Sequence, residues 1–410
     1  MIKNIDKGNT LIVKGPARIT LLKGELEVLG KVFQPIKENS TSNINNNDDQ
    51  NVLIIPSAQS FPLYANKNIE LDVYISNEEN LKLVKENSIS PKWIQIKNEI
   101  VDKLKKERES PLKIMVLGFS SGKTTLIKYL ANNFLKEGLN GGYLDSDLGQ
   151  QLIYIPTTIN LGTINDYIIS SEDIQSENTV FIGATFPKGD YKYIVSISCR
   201  KMIDEYIKEN KGIDFVLIDT DGWIKTEAGI IYKNFFIKSV DPDIIIAFHD
   251  DTIEELKEIE KTASIQNKNR KMYLLENGNK YFYERDKDER RFLRQSQFSK
   301  KFEDFRKISI PLNDIKFIKT DFNKEKDEII EIEVDIKDLI NLPYHYVIIG
   351  LLTEDSELIE IGLLFTINVE KNYILLYSNV SYKQQLRVKK ILLGSLRLST
   401  KGNHQGYLYL

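Results

Sequence analysis

The stretch Met115-Val-Leu-Gly-Phe-Ser-Ser-Gly-Lys-Thr-Thr-Leu126 constrains this chain more than any other. An apolar run, Ile114 to Leu117, enters a small-residue turn. The turn closes on Gly122-Lys123-Thr124, and a helical pattern (Thr125, Leu126, Tyr129, Leu130) begins at once. Strand, tight turn and helix in that order make a phosphate-binding loop, in which backbone N–H groups and the helix N-terminus cradle a di- or triphosphate. This assigns Gly118, Ser120, Ser121, Gly122, Lys123, Thr124 and Thr125 to the nucleotide, with Lys123 on the terminal phosphates and the Thr124 hydroxyl on Mg²⁺. The usual spacing, G-x-x-x-x-G-K-[ST], asks for Gly at 117; Leu117 stands there and Gly118 follows one step late.

Much else is excluded by composition. With 410 residues the chain has room for about two to three domains. No apolar run approaches the ~18 residues that a membrane span requires, so no membrane association is expected. The N-terminus, Met1-Ile-Lys-Asn-Ile-Asp6, has no apolar signal core, so an intracellular protein is expected. Cys199 is the only cysteine, which rules out an internal disulfide and a cysteine-built metal site. Histidines at 249, 345 and 404 are too scattered to form a metal cluster. A net charge of −3 argues against a broad electrostatic grip on nucleic acid but leaves room for a local basic patch.

Three blocks and a linker follow along the chain. Residues 1–90 read as β-rich, from short runs such as Thr10–Val13, Ala17–Leu22, Glu25–Leu29, Asn51–Ile55 and Leu71–Ile75 separated by turn residues. Within them, Lys37–Asn51 is rich in Asn, Ser and Asp and reads as a mobile loop between strands. A linker follows at 91–110, where Trp93, Ile94, Ile96, Ile100, Val101 and Leu104 recur at helical spacing after Ser90-Pro91. Residues 111–305 alternate strands and helices. The expected fold is therefore α/β, with a central parallel sheet of the P-loop NTPase type covered by helices on both faces. Residues 306–410 return to a β-rich pattern, with strands at Tyr346–Leu352, Ile359–Ile367 and Tyr373–Tyr377.

Ligands in such sheets bind beyond the carboxyl ends of the strands, and three further constellations lie there. In Tyr143-Leu-Asp-Ser-Asp-Leu-Gly-Gln150, Asp145 and Asp147 stand two apart and point the same way if strand geometry continues. Phosphoryl transfer uses one carboxylate in the metal shell and another to accept the attacking hydroxyl's proton. The alternative is an Asp-rich turn. In Phe215-Val-Leu-Ile-Asp-Thr-Asp-Gly-Trp223, Asp219 ends an apolar strand as a Walker-B-like carboxylate, and Trp223 is either core packing or a stacking platform for a base. In Glu289-Arg-Arg-Phe-Leu-Arg-Gln-Ser-Gln-Phe298, Arg294 shares a helical face with Arg290 or Arg291. This is either a solvated basic helix or a lid that brings guanidinium groups onto a transferring phosphoryl.

The ordered set resembles the polynucleotide 5′-hydroxyl kinases related to the Clp1 and Grc3/NOL9 proteins of RNA processing. Similar elements are Gly15-Pro16-Ala17, Lys23-Gly24 and Gly30 in the N-terminal block; Asp147-Leu-Gly-Gln150 with Pro156; Gly183-Ala-Thr185-Phe-Pro187 with Tyr191; Thr220-Asp-Gly-Trp223; Arg290-Arg-Phe-Leu-Arg294 before Phe302; and His345-Tyr346, Gly350-Leu351 and Gly362. The departures are Leu117 and the pair Lys301-Phe302, where the family often has Tyr-Phe. The resemblance implies transfer of the γ-phosphate of ATP, or of GTP, to 5′-OH ends of RNA or DNA with Mg²⁺. Lys123 would hold the phosphates, Thr124, Asp145 and Asp219 the metal, and Asp147 would be the base. Gln150 and Thr185 would position the acceptor, Trp223 would clasp its terminal nucleotide, and Arg290, Arg291 and Arg294 would close over the phosphates. RNA-processing protein partners are also implied, with a cytoplasmic site in a prokaryote or archaeon and a nuclear one in a eukaryote. Two other readings stay open: a nucleotide-bound scaffold subunit, and a GTPase or ATPase switch, of which Asn267-Lys268-Asn269 is a faint sign.

Overall fold

The structure is a computed structural model that describes residues 1–35, 51–119, 122–249, 254–276, 281 and 285–410, with backbone alone at 249 and 254. Most of the low-complexity loop read at 37–51 lies outside these residues, as do Ser120 and Ser121.

Two antiparallel sheets face each other in the N-terminal block. Its strands are β1 (Ile2–Ile5), β2 (Thr10–Lys14), β3 (Ala17–Lys23), β4 (Leu26–Val28), β5 (Lys31–Phe33), β6 (Val52–Ile55), β7 (Ser60–Ala65), β8 (Ile69–Ile75) and β9 (Leu81–Val84). One sheet runs β1-β8-β3-β6 and the other β5-β4-β7-β2-β9. In β8, Ile69, Leu71 and Val73 point inward while Asp72 and Tyr74 face solvent, the period-two pattern of a sheet covered on one face. Strand β7 escapes a reading by pattern because Pro62, with no N–H to donate, sits inside it opposite Ile12.

Helix α1 (Pro91–Leu104) is capped by Ser90, whose Oγ accepts from Trp93 N. It buries Trp93, Ile96, Ile100, Val101 and Leu104, but Ile94, expected on the same face, is exposed. The helix stops at Leu104, short of the end of the 91–110 linker, since Lys105-Lys106-Glu107-Arg108-Glu109 offers no apolar face to bury. It is a wall shared by the N-terminal sheets and the central domain, whose side chains merge into one core.

The central sheet is built from β10 (Leu112–Gly118), β11 (Gly141–Asp145), β12 (Thr158–Thr163), β13 (Asn178–Phe181), β14 (Phe215–Asp219), β15 (Ile244–His249) and β16 (Lys271–Glu276), in the order β13-β12-β11-β14-β10-β15-β16. Five strands, β11, β14, β10, β15 and β16, are parallel. The expected central parallel sheet carries one antiparallel strand, β12, which runs opposite to both β11 and β13. The segment between β11 and β12 carries no helix, so the chain returns antiparallel along β11 without a crossover. Strand β12 went unread because Asn160 and Gly162 interrupt its apolar pattern. Asn160 is nevertheless buried, donating to Gln151 Oε1 at 2.9 Å and Thr158 Oγ1 at 2.7 Å.

Ile114 and Val116 of β10 face α1 and α2 (Lys123–Lys136); Met115 and Leu117 face α3 (Tyr191–Glu209), α4 (Glu227–Val240) and α5 (Glu254–Gln266). Burial on both faces is why these strands read as unbroken apolar runs. Among the described residues, no helix is long and apolar enough to cross a membrane.

Helix α6 (Lys287–Phe302) leads into the C-terminal sheet. Its strands are β17 (Arg306–Pro311), β18 (Lys316–Asn323), β19 (Glu328–Glu333), β20 (Val347–Leu352), β21 (Leu358–Asn368), β22 (Tyr373–Ser378), β23 (Lys390–Leu398) and β24 (His404–Tyr407). Their order is β17-β22-β21-β20-β23-β18-β19, with β24 on β23. One face holds its own core; the other packs Ile348, Leu363 and Leu392 against Phe298 and Phe302 of α6 and Phe181 of β13.

Candidate active site

Gly118 and Gly122 make the phosphate loop possible. Both have positive φ, 153° and 114°, and a Cβ would lie 2.8 Å from Phe248 Cβ at the first and 3.3 Å from its ring at the second. Leu117, where the usual pattern has glycine, is a buried β10 residue paired with Ala247. The strand runs one residue further and Gly118 makes the turn. Lys123 Nζ donates to Gly118 O at 3.1 Å, across the mouth of the loop. Thr124 Oγ1 donates to Asp219 Oδ2 at 2.7 Å, and Tyr143 OH donates to the same oxygen at 3.1 Å. Asp219 Oδ1 is buried and has no hydrogen-bond partner among the described residues. Burial pushes the Asp219 carboxyl up to about 6. A threonine hydroxyl and an orphaned buried carboxylate oxygen are the donor set that takes Mg²⁺ beside nucleotide phosphates, with waters completing the shell.

The paired carboxylates do not point the same way. Asp145, level with Asp219 on the neighbouring strand, accepts from Asp147 N at 3.2 Å and from Leu152 N at 2.6 Å. Both its oxygens thus pin the loop that follows. Burial, then the nearby Asp219 carboxylate, raises its pKa well above the usual range. Asp147 lies beyond the strand end, so the strand alternation no longer applies to it. Its Oδ1 accepts from Gly149 N at 2.9 Å and Gln150 N at 3.0 Å, and it lines a cavity of about 190 Å³ together with Lys123, Thr124 and Gln150. Its carboxyl is raised by burial and then by Asp221, with Lys123 opposing. Gln150 Nε2 reaches Arg290 O at 3.3 Å, tying this loop to α6.

Trp223 is half-buried. Its indole N–H donates to Thr226 Oγ1 at 2.9 Å, and its ring lies 4.6 Å from that of Phe186, which is 46% exposed. The exposed Phe186 beside it extends an aromatic rim. Pattern reading missed Phe186. It also missed Lys233, which is 0% exposed and donates to Asp221 Oδ2 at 3.0 Å while Asp221 Oδ1 accepts from Trp223 N. The available signal for Lys233 was a lone lysine inside the apolar run Ile230 to Phe236.

Helix α6 is complete from Lys287, with a capping box between Asp286 and Glu289 and with Phe298 and Phe302 buried. The cap and the two buried phenylalanines anchor this helix. Successive helical residues point about 100° apart, and the arginines divide accordingly. Arg290 lines the nucleotide cavity and donates to Arg285 O through Nε and Nη2, at 3.1 and 2.8 Å. Arg291 and Arg294 line a second cavity, shared with Thr185. The nucleotide cavity has further walls that the sequence did not announce: Leu29 and Ala58 to Phe61 of the N-terminal sheets, Arg285, and Lys128. Burial, then Arg285, brings the Lys128 ammonium down to about 8. Asn267-Lys268-Asn269 sits in the turn before β16, at the amino end of a strand and far from the carboxyl ends where nucleotide binds.

Residues 119–304 match the family model of the P-loop region of the mRNA cleavage and polyadenylation factor CLP1. A polyribonucleotide 5′-hydroxyl-kinase of Methanocaldococcus jannaschii is 29% identical over 341 residues, 74% of this chain and 91% of that protein. One of Pyrococcus furiosus is 27% identical over 73% of this chain and 91% of that protein. The solved Clp1p–Pcf11p complex contains a chain with the same fold, at a TM-score of 0.72 and 14% identity over 97% of both chains. With the motifs brought together as described, the chain is similar to the Clp1/Grc3-type polynucleotide kinases, and the family model covers residues 119–304 of its 410.

Proposed function

We propose that this protein transfers the γ-phosphoryl of ATP to the 5′-hydroxyl of RNA, with Asp147 as the base. One observation carries the reading: Asp147, whose two backbone hydrogen bonds both fall on Oδ1, lines the same cavity as Lys123 and Thr124. The names of the relatives support RNA as the acceptor. The position of Asn267-Lys268-Asn269 argues against guanine recognition and so for ATP. The same kinship supports a role in RNA processing with protein partners.

The acceptor O–H lies against Asp147, which takes its proton as the oxygen bonds to the γ-phosphorus. The bond from that phosphorus to the β–γ bridging oxygen breaks, and ADP leaves. Lys123 lies on the β- and γ-phosphates and Arg290 meets them from α6. Gln150 and Thr185 position the acceptor, Arg291 and Arg294 meet its phosphates, and Trp223 with Phe186 clasps the terminal base. Thr124 and Asp219 would hold Mg²⁺, which when bound would neutralise charge on the phosphate oxygens. Asp145 is reassigned from the metal shell to the loop anchor. The backbone around Gly118, Gly122 and Thr125 cradles the phosphates; Ser120 and Ser121 complete that loop in sequence.

The test is incubation with γ-labelled ATP and 5′-OH oligonucleotides of both sugars. Labelled 5′ ends, preferentially on RNA, are expected. Nucleotide hydrolysis with no labelled ends would favour the switch reading, and nucleotide binding with neither would favour the scaffold.

A further inference from the structure

A second cavity, of about 280 Å³, opens between α6 and the turn joining β23 to β24. Arg291 and Arg294 reach it from α6, Thr185 from the acceptor-side loop, and His404 and Tyr407 from β24. No carboxylate among the described residues lines it. Burial, then the two guanidiniums, holds the His404 imidazole below its usual range, as expected of a cationic pocket.

Glycines lock these parts together. Gly402 sits at φ 75°, where a Cβ would come within 2.7 Å of Phe298 Cβ, so the turn backbone rests on α6. Gly394 abuts Gly183, and Ser395 N donates to Gly183 O at 2.8 Å, so β23 holds the loop that carries Thr185. The rings continue outward. His404 and Tyr407 lie 4.9 Å apart, Tyr407 and Tyr409 6.0 Å apart, and Tyr409 is 79% exposed. Guanidinium groups beside a row of exposed rings are what a single-stranded polynucleotide recognises: cations for its phosphates, π-faces for its bases.

We infer that the β23–β24 hairpin extends the acceptor site, with His404 joining Arg291 and Arg294 on a bridging phosphate and Tyr407 and Tyr409 stacking bases beyond the second nucleotide. This rests on the proposed function and names the acceptor it favours: a single strand several nucleotides long rather than a 5′-OH dinucleotide.

The experiment compares the full chain with Tyr407→Ala/Tyr409→Ala and Tyr407→Phe/Tyr409→Phe. Binding of a 3′-fluorescein-labelled 5′-OH decaribonucleotide is read by anisotropy, and transfer is measured on that decamer and on a dinucleotide. Both rings are exposed, so thermal midpoints should match. The alanine variant should weaken decamer binding and raise its KM by roughly ten-fold or more. The KM for ATP and the dinucleotide kcat/KM should be unchanged, and the phenylalanine variant should behave like the parent. Unchanged decamer affinity in the alanine variant, or equal losses on decamer and dinucleotide, would overturn the inference. A parent that labels no 5′ ends yet binds the decamer through these rings would sink the kinase reading and leave the hairpin surface standing.

Discussion

Asp147→Asn changes the proposed chemistry while keeping the loop. The amide oxygen can accept from Gly149 N and Gln150 N as Oδ1 does now, at 2.9 and 3.0 Å. What is lost is the negative charge and the capacity to take a proton. General-base contributions run at about 10²–10⁴ in rate, which corresponds to roughly 2.7–5.5 kcal/mol of barrier. Asp147→Ala removes the same base and in addition strips two backbone N–H groups of their partner. At roughly 0.5–1.5 kcal/mol each, that is a further ~1–3 kcal/mol of stability. The two variants should therefore share a rate defect and differ in thermal midpoint, the alanine variant melting a few degrees lower. Transfer would be followed in single turnover with γ-labelled ATP, and ATP affinity measured separately; the latter should not weaken in Asp147→Asn. The pH profile supplies the sign. Burial and Asp221 hold the Asp147 carboxyl above the usual carboxylate range, so the base form is lost as pH falls through that raised value, and the parent's acid limb should disappear in Asp147→Asn. An Asn variant that keeps more than about a tenth of the rate, or that keeps the parent's acid limb, would refute the assignment.

Four further outcomes are expected. Lys123→Ala should abolish transfer while circular dichroism and thermal midpoint stay close to the parent's, and substantial residual labelling would count against the phosphate role. Trp223→Ala should weaken oligonucleotide binding by roughly 1–3 kcal/mol, the range for one stacked base, without altering ATP affinity in equilibrium titrations. Among the lid arginines, Arg290→Ala should lower kcat, Arg291→Ala should raise acceptor KM with kcat kept, and Arg294→Ala should do both; three silent variants would make α6 a solvated helix. Asp219 has its folded-state pKa raised to about 6, so its contribution to stability is full below its unfolded value and lost as pH rises through 6. Ligand-free Asp219→Asn should therefore gain thermal midpoint over the parent at pH 7.5 but not at pH 4, and Mg²⁺ with ATP should raise the parent's midpoint more than the variant's.

Local pattern was enough for the phosphate loop, the Walker-B-like Asp219 and the strands around them. Their signal is short-range: unbroken apolar runs for strands buried on both faces, and glycines where φ must be positive. Among the N-terminal strands, Ala17–Leu22 and Leu71–Ile75 were legible because one covered face enforces alternation, and Thr10–Val13 because it is a short β-branched run buried throughout. What the sequence could not say was which way side chains turn once a strand ends. Asp145 and Asp147 look equivalent two residues apart, yet the backbone N–H groups of Asp147 and Leu152 draw one inward while the loop carries the other to the nucleotide. Nor could it show that Arg290 and Arg291, adjacent in the chain, serve different cavities, one walled by β7 and α6 and the other by α6 and the β23–β24 hairpin. Those facts depend on contacts between residues hundreds of positions apart, such as Gly183 against Gly394 and Arg285 Nε on Ala58 O. Contacts of that range leave no periodic trace in the chain, because they are set by how the three blocks pack and not by the residues nearby.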